Sequence, residues 1–254
     1  MPEIVADAFA IEGIGWVFAA ALVAGIVRGF AGFGTAMIFL PVATRVVEPV
    51  WAIIILMVMD SIGPLPMIPR ALREGHPRDL MRLFAGTVVA LPVGLAVLFW
   101  VDPVVFRVVV SVLSLALLAL LIGGVRYRGT LRPPLVYATG GVGGFLGGAV
   151  GIPGPPVILL YMASPHPARV IRANSTTYLY GFDLLVLASF AVLGRLWGLP
   201  LVLGLMAALP YLLGNALGWW MFRPGYERLY RAVAYGIIAA SALSGLWSVI
   251  GGTT

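Results

Sequence analysis

Between Arg132 and His166 the chain carries no charged residue at all, yet that stretch holds eight Gly and six Pro. About 20 apolar residues suffice to cross the hydrocarbon core of a bilayer, so its length and polarity suit a membrane interior. Its glycines and prolines do not suit one continuous helix, because Gly is conformationally loose and Pro removes a backbone donor. Two shorter helices meeting within an apolar environment satisfy both observations. Residues 13–44 have the same character, apolar but interrupted by Gly and Pro. Backbone left unpaired at membrane depth survives only where protein or a water-filled cavity satisfies it. The predicted fold class is therefore an all-α polytopic membrane protein. Composition agrees: 61% of residues are hydrophobic and 10% charged, against roughly 25% charged in ordinary globular chains.

Uninterrupted apolar spans are predicted at about 50–69, 83–101, 108–125, 175–194, 197–221 and 232–250. All 16 basic residues are Arg, and they cluster in the gaps. Arg70, Arg73, Arg78 and Arg82 share one connection, and Arg126, Arg128 and Arg132 another. Arg169 and Arg172 follow the second interrupted region, and Arg223, Arg228 and Arg231 precede the last span. These twelve are all cytoplasmic only if each interrupted region enters and returns on one side. Both termini then face the periplasm of a bacterial inner membrane. The acidic N-terminus (Glu3, Asp7, Glu12) lacks the positive n-region of a cleaved signal peptide. Basic residues distributed in this way describe topology rather than a nucleic-acid surface.

A repeat is legible at an offset of 119. GFAGFGTAMIFLP at 29–41 aligns with GAVGIPGPPVILL at 148–160, placing Gly29 and Gly32 on Gly148 and Gly151. LFWVDPVVFRVVV at 98–110 loosely matches GWWMFRPGYERLYRAVA at 218–234, and Arg107 pairs with Arg231 after a short insertion. The expected organisation is a first repeat over 1–125, with a broken hairpin at 13–46 and three spanning helices. A cytoplasmic linker over 126–132 follows, then a second repeat over 133–254 with its broken hairpin at 133–165. That makes about ten transmembrane elements, four of them half-helices, in two inverted repeats. Paired interrupted segments in inverted repeats point to a transporter site. A half-helix that starts inside the membrane aims free N–H groups and a positive dipole end into the cavity. Here such helices are expected to start near Thr35 and near Gly154.

The duplicated glycine motifs, Gly29-Phe30-Ala31-Gly32-Phe33-Gly34 with Pro41 and Gly148-Ala149-Val150-Gly151-Ile152-Pro153-Gly154, resemble those of the sulfite exporter TauE/SafE family of membrane transporters. Chain length, the two-half layout and the basic inner loops are also similar to that family. The resemblance implies transport of a small oxoanion or organosulfonate, such as sulfite or a C2 sulfonate. The second motif departs from the family pattern, with Ile-Pro-Gly-Pro-Pro where further glycines are common.

Several polar residues stand out in the apolar runs. Arg28 precedes the first glycine break, and a charge near the membrane centre costs about 2.5–3.5 kcal/mol on insertion scales. Its planar fork of donors matches sulfite or sulfonate oxygens; pairing with Asp60 or Asp183 is the structural alternative. Asp60 and Asp183 each lie about ten residues into an apolar segment, as ion-coupling carboxylates for H⁺ or Na⁺ or as buried charge partners. The expected substrate contacts are Arg28, Gly32, Phe33, Gly34 and Thr35 in the first half, and Gly151, Pro153, Gly154, Asn174 and Thr177 in the second. Asn174 or Ser175 is equally read as the N-cap of the helix that follows. Asn215 suits an interhelical hydrogen bond. His76 is expected in a solvated loop and His166 in an interfacial turn. Trp16, Trp51, Trp100, Trp197, Trp219 and Trp220 read as interfacial anchors.

The chain has no Cys, which excludes disulfides and thiolate metal sites, and two His; neither a metal centre nor a cofactor is expected. Without Lys no Walker loop can form, so this chain alone does not drive transport with ATP. A secondary transporter is the leading expectation, with the anion held at mid-membrane between two half-helix tips. An anion channel is the first alternative. An intramembrane lipid-phosphate hydrolase is the more distant one, since such chemistry needs clustered carboxylates or a Ser–His pair. The expected partners are a small anion, a coupling H⁺ or Na⁺ and membrane lipid, with homodimerisation compatible and no nucleic acid.

Overall fold

A computed structural model of the chain describes residues 2–123, 131–162, 166–196, 198–223 and 225–251. Arg126 and Arg128 of the linker, Ser164, Pro165 and Trp197 lie outside the described residues. The described residues are helical apart from turns and short connections. The helices are α1 (Pro2–Ala10), α2 (Ile14–Ala31), α3 (Thr35–Ala43), α4 (Pro49–Ile62), α5 (Ile68–Glu74), α6 (Pro77–Trp100), α7 (Pro103–Ile122), α8 (Pro133–Val150), α9 (Gly154–Met162), α10 (Ala168–Val192), α11 (Gly198–Met221) and α12 (Glu227–Ile250). Local sequence explains several starts. Pro49, Pro77, Pro103 and Pro133 each occupy the first helical position, where the missing N–H costs nothing. The carboxylate of Asp102 accepts the Val104 N–H at 2.8 Å and so caps α7.

Among the described residues, α2, α6, α7, α10, α11 and α12 are long and apolar enough to cross a membrane. The span expected at 50–69 is corrected. Its helix stops at Ile62 and bends by 45° into Leu65–Glu74, because Gly63, Pro64 and Pro66 interrupt the hydrogen-bond ladder. Four helices also start five or more residues earlier than expected, α6 at Pro77, α7 at Pro103, α10 at Ala168 and α12 at Glu227, because each added stretch carries at least one charged residue that an apolar count omits. The four expected half-helices are not alike. Only α3 and α9 are short, with nine residues each. Helices α2 and α8 have 18 residues, about 27 Å at 1.5 Å per residue.

The helix boundaries keep the spacing seen in the motifs. Helices α2, α3 and α4 start at 14, 35 and 49, and α8, α9 and α10 start 119 residues later, at 133, 154 and 168. Arg107 and Arg231 are each the fifth residue of their helices, α7 and α12.

The chain forms two compact units, each assembled from both sequence halves. The first comprises residues up to Asp60, Val101–Ala119 and residues from Phe190 onward. Within it α2 packs along α11, and α3 packs against α2 and α12. The α2–α11 seam is close because glycines face each other. A Cβ on Gly25 or Gly29 would run into the backbone carbonyls of Tyr211 and Asn215, and one on Gly214 or Gly218 into those of Leu22 and Ile26. Small residues at a four-residue spacing allow this approach in an apolar solvent, where packing rather than hydrophobic burial holds helices together. Helix α4 is buried on every side from Ala52 to Ser61, as an all-round apolar helix should be. The outer face of α11 leaves Leu205, Leu209, Leu213 and Leu217 exposed at helical spacing, a lipid-facing stripe.

The second unit comprises Ser61–Trp100 and Leu120–Ser189. Helix α8 packs along α6, and α9 returns against α8. Leu80, Leu83, Val136, Val157, Leu160, Tyr161 and Tyr178 form its buried core.

Candidate functional site

In the first unit, α2 ends at Gly32 in the left-handed conformation (φ 79°), its N–H donating to the Arg28 carbonyl at 2.8 Å. Gly34 (φ 99°) then redirects the chain and α3 starts at Thr35, where the sequence placed it. The N–H groups of Thr35, Ala36 and Met37 open the helix and have no acceptor within it. The first donor with a helical partner is Ile38, which bonds the Gly34 carbonyl at 3.1 Å.

Arg28 stands in the last turn of α2, one turn before the break. Its Nη1 lies 3.4 Å from the Thr35 hydroxyl and 3.4 Å from Asp60 Oδ2. Both side chains are largely buried, at 16% and 12% exposure. Asp60, one of the two carboxylates considered, is thus a partner of Arg28. The contacts are longer than the 2.7–2.9 Å of a tight charge-assisted bond. Asp60 also accepts a hydrogen bond from the hydroxyl of Tyr211 on α11. Tyr211 is fully buried, and a phenol in such a place needs an acceptor. Sequence reasoning missed it, although a Tyr directly after Pro210 in an otherwise apolar helix is a usable signal. Phe33 packs against Tyr235 of α12 with the rings tilted by 50° and their centroids 6.4 Å apart. Asn215 presents its backbone to Gly29.

The second unit holds the matching break. Gly151 is left-handed (φ 72°), donates to the Gly147 carbonyl at 2.9 Å, and closes α8. Pro153 and Gly154 are buried. Helix α9 starts at Gly154 and continues with Pro155 and Pro156, so two of its first three residues have no N–H. Tyr178 shares a hydrogen bond with Thr87 at 3.0 Å, and Thr87 donates to the Gly140 carbonyl. The Thr177 hydroxyl is buried with no hydrogen-bond partner among the described residues. Asp183 is 4% exposed.

Asn174 is not an N-cap, because α10 starts six residues earlier at Ala168. Its amide oxygen accepts the His76 N–H at 2.7 Å and its nitrogen donates to the Tyr161 hydroxyl at 3.0 Å. The two histidines lie in connections, as expected, His76 between α5 and α6 and His166 before α10, but the fold also brings them together. Their rings lie 5.2 Å apart, and both reach Asp79 Oδ2, His76 Nδ1 at 3.2 Å and His166 Nε2 at 3.1 Å. Asp79 itself is buried in the first turn of α6. Ninety residues of separation hide this cluster from a linear reading.

A cavity of about 190 Å³ is lined by Glu12, Gly13, Trp16, Val42, Arg45 and Val46. It lies at the opposite end of α2 from Arg28, roughly 20 Å along the helix axis, and holds none of the expected substrate contacts.

The model of the family described as "Sulfite exporter TauE/SafE" matches residues 17–245, nearly the whole chain. No curated protein and no solved structure matches.

Proposed function

The chain belongs to the sulfite exporter TauE/SafE family of membrane transporters, and on that premise we propose that it is a secondary transporter for sulfite, sulfoacetate or a similar small sulfonate or oxoanion. The observation that carries this is the position of Arg28, whose one nitrogen serves both the first residue of α3 and Asp60. The anion binds at the α3 tip, to the N–H groups of Thr35, Ala36 and Met37, the Thr35 hydroxyl and the Arg28 guanidinium. Gly32, Phe33 and Gly34 shape the approach. A helix N-terminus and a guanidinium both favour an oxyanion.

An arriving anion competes with Asp60 for Arg28. Once Asp60 loses that partner, a carboxylate in a largely buried setting needs a replacement cation. A proton or Na⁺ taking that place couples anion binding to cation binding, with Tyr211 keeping the carboxylate in position. In the second unit Gly151, Pro153 and Gly154 shape the other break, Asn174 and Thr177 are its polar side chains, and Asp183 is a second candidate coupling group. Sequence halves 1–125 and 133–254 act as inverted repeats in the bacterial inner membrane, with the 126–132 linker cytoplasmic and both termini periplasmic.

The test is sulfite flux in proteoliposomes. We expect saturable flux that responds to an imposed pH or Na⁺ gradient. Arg28→Ala should lower it at least about tenfold, the loss of one hydrogen bond to a charged group, and Asp60→Asn should weaken the gradient response. Full flux in both variants would refute the site. Flux that neither saturates nor responds to gradients would assign a channel instead.

A further inference from the structure

We infer that His76, Asp79 and His166 form a binding site for a divalent transition-metal ion of the Zn²⁺ class, at the loop end of the second unit. One nitrogen from each imidazole and one carboxylate oxygen all lie within 4.8 Å of one another. Both nitrogens approach the same oxygen, at 3.2 and 3.1 Å. Two ligands about 2.1 Å from a tetrahedral metal sit about 3.4 Å apart, so the spacing fits ligands sharing an ion with little movement.

His76 supplies the second observation. Its Nδ1 is buried and makes no hydrogen bond among the described residues, although Asp79 Oδ2 is only 3.2 Å away. His166 Nε2 is hydrogen-bonded to that same oxygen at 3.1 Å, so of the two nitrogens approaching it His76 Nδ1 is the one left without a hydrogen bond. The Asp79 side chain is 5% exposed, and a buried carboxylate gains most from a cation. Two imidazoles and one carboxylate select Zn²⁺ and its neighbours over Mg²⁺ or Ca²⁺, which take oxygen ligands. Three protein ligands also leave a position for water, as in open zinc sites.

Two features oppose tight binding. Arg82 lies 3.3 Å from the other oxygen, Asp79 Oδ1, and the start of α6 presents its positive dipole end. Both lower the affinity for a cation. Asp79 answers them by standing at the centre of the cluster rather than at its rim, which also makes an anion site at this helix start unfavourable.

The ion would join three chain segments, the loop before α6, its first turn, and the connection between α9 and α10. Asn174 already links that loop to Tyr161 on α9, so metal occupancy would be felt by the second short helix.

The composition makes the test clean. These are the chain's two histidines and it has no Cys, so no other imidazole or thiol can mimic the site. The full chain, with any affinity tag removed and stripped of metal by chelator, is titrated with Zn²⁺ by calorimetry and with Co²⁺ by visible absorption. The expected result is about one ion per chain, a Zn²⁺-dependent rise in melting temperature by mass action, and no such rise with Mg²⁺. His166→Gln and His76→Gln should each weaken Zn²⁺ binding at least about tenfold, on the scale of losing even an outer partner of a metal site. Melting of both variants without metal at the parent temperature shows that they remain folded. Absence of stoichiometric binding, an equal response to Mg²⁺, or unchanged binding in both variants would overturn the proposal. None of these readouts involves transport, so the result stands apart from the proposed function.

Discussion

The two breaks share a backbone plan and differ in chemistry. At the spacing of 119, Gly32 corresponds to Gly151, both left-handed and both closing a helix of 18 residues. Arg28 corresponds to Gly147, where a Cβ would strike the ring of Phe182. Thr35 corresponds to Gly154, Ala36 to Pro155 and Met37 to Pro156. The α3 tip therefore offers three N–H donors, a hydroxyl and a nearby guanidinium. The α9 tip offers one N–H in its first three residues and no charge at the Arg28 position. Shared geometry with unequal chemistry teaches that the repeat fixes where helices stop, while individual side chains decide what each stop can hold. By this comparison the donors that suit an anion concentrate in the first unit, and the second break offers fewer of them and no guanidinium.

The sharpest way to break the comparison is to exchange the two tips. Helix α9 already accommodates Pro at the positions equivalent to Ala36 and Met37, so Ala36→Pro should leave the α3 backbone in place while deleting one donor. A hydrogen bond to a charged group is worth about 1.5–3 kcal/mol, which predicts at least a tenfold rise in the KM for sulfite. The reciprocal Pro155→Ala restores an N–H to α9 and should change KM by less than about threefold, since the second break has no guanidinium to assemble an anion site. A Pro155→Ala gain as large as the Ala36→Pro loss would show that both tips bind anion and would end the asymmetry.

A smaller effect is expected from Tyr211→Phe. The substitution keeps the ring that fills the core and removes the donor to Asp60 Oδ1. Loss of one hydrogen bond to a carboxylate predicts about a tenfold change in how flux responds to the coupling gradient, with the sulfite KM much less affected. A change confined to KM would place Tyr211 with the substrate rather than with a coupling role for Asp60.

Much of the fold was legible because membrane physics leaves strong marks. Apolar runs of about 20 residues and glycine at breaks located the bodies of α6, α7 and α11 and the starts of α3 and α9. The bend after Ile62 was hidden because residues 50–69 are apolar apart from Asp60 and Ser61, and hydropathy does not register a broken hydrogen-bond ladder. At the site, Arg28 and Asp60 stood out as charges in apolar surroundings, and their pairing was among the options considered. Tyr211 was missed because a lone aromatic in a helix reads as packing until its neighbour is known. The His76–Asp79–His166 cluster was missed for a different reason. Its members lie in polar connections, where charge and imidazole are ordinary, and only the tertiary fold closes 87 residues between Asp79 and His166.

Thr177 gives the mildest test and bears on whether the second break is purely structural. Its hydroxyl is buried and makes no hydrogen bond among the described residues, so burial costs free energy that no partner returns. Thr177→Val removes the oxygen at nearly constant volume. If the hydroxyl touches nothing during transport, the variant should melt at the same or a slightly higher temperature, by up to about 1 kcal/mol of added stability, and its sulfite flux should stay within about twofold of the parent. Retained stability with flux down tenfold would mean that the orphaned hydroxyl is kept for the solute. The neutral break would then hold a substrate ligand, and the division of labour between the two tips would have to be redrawn.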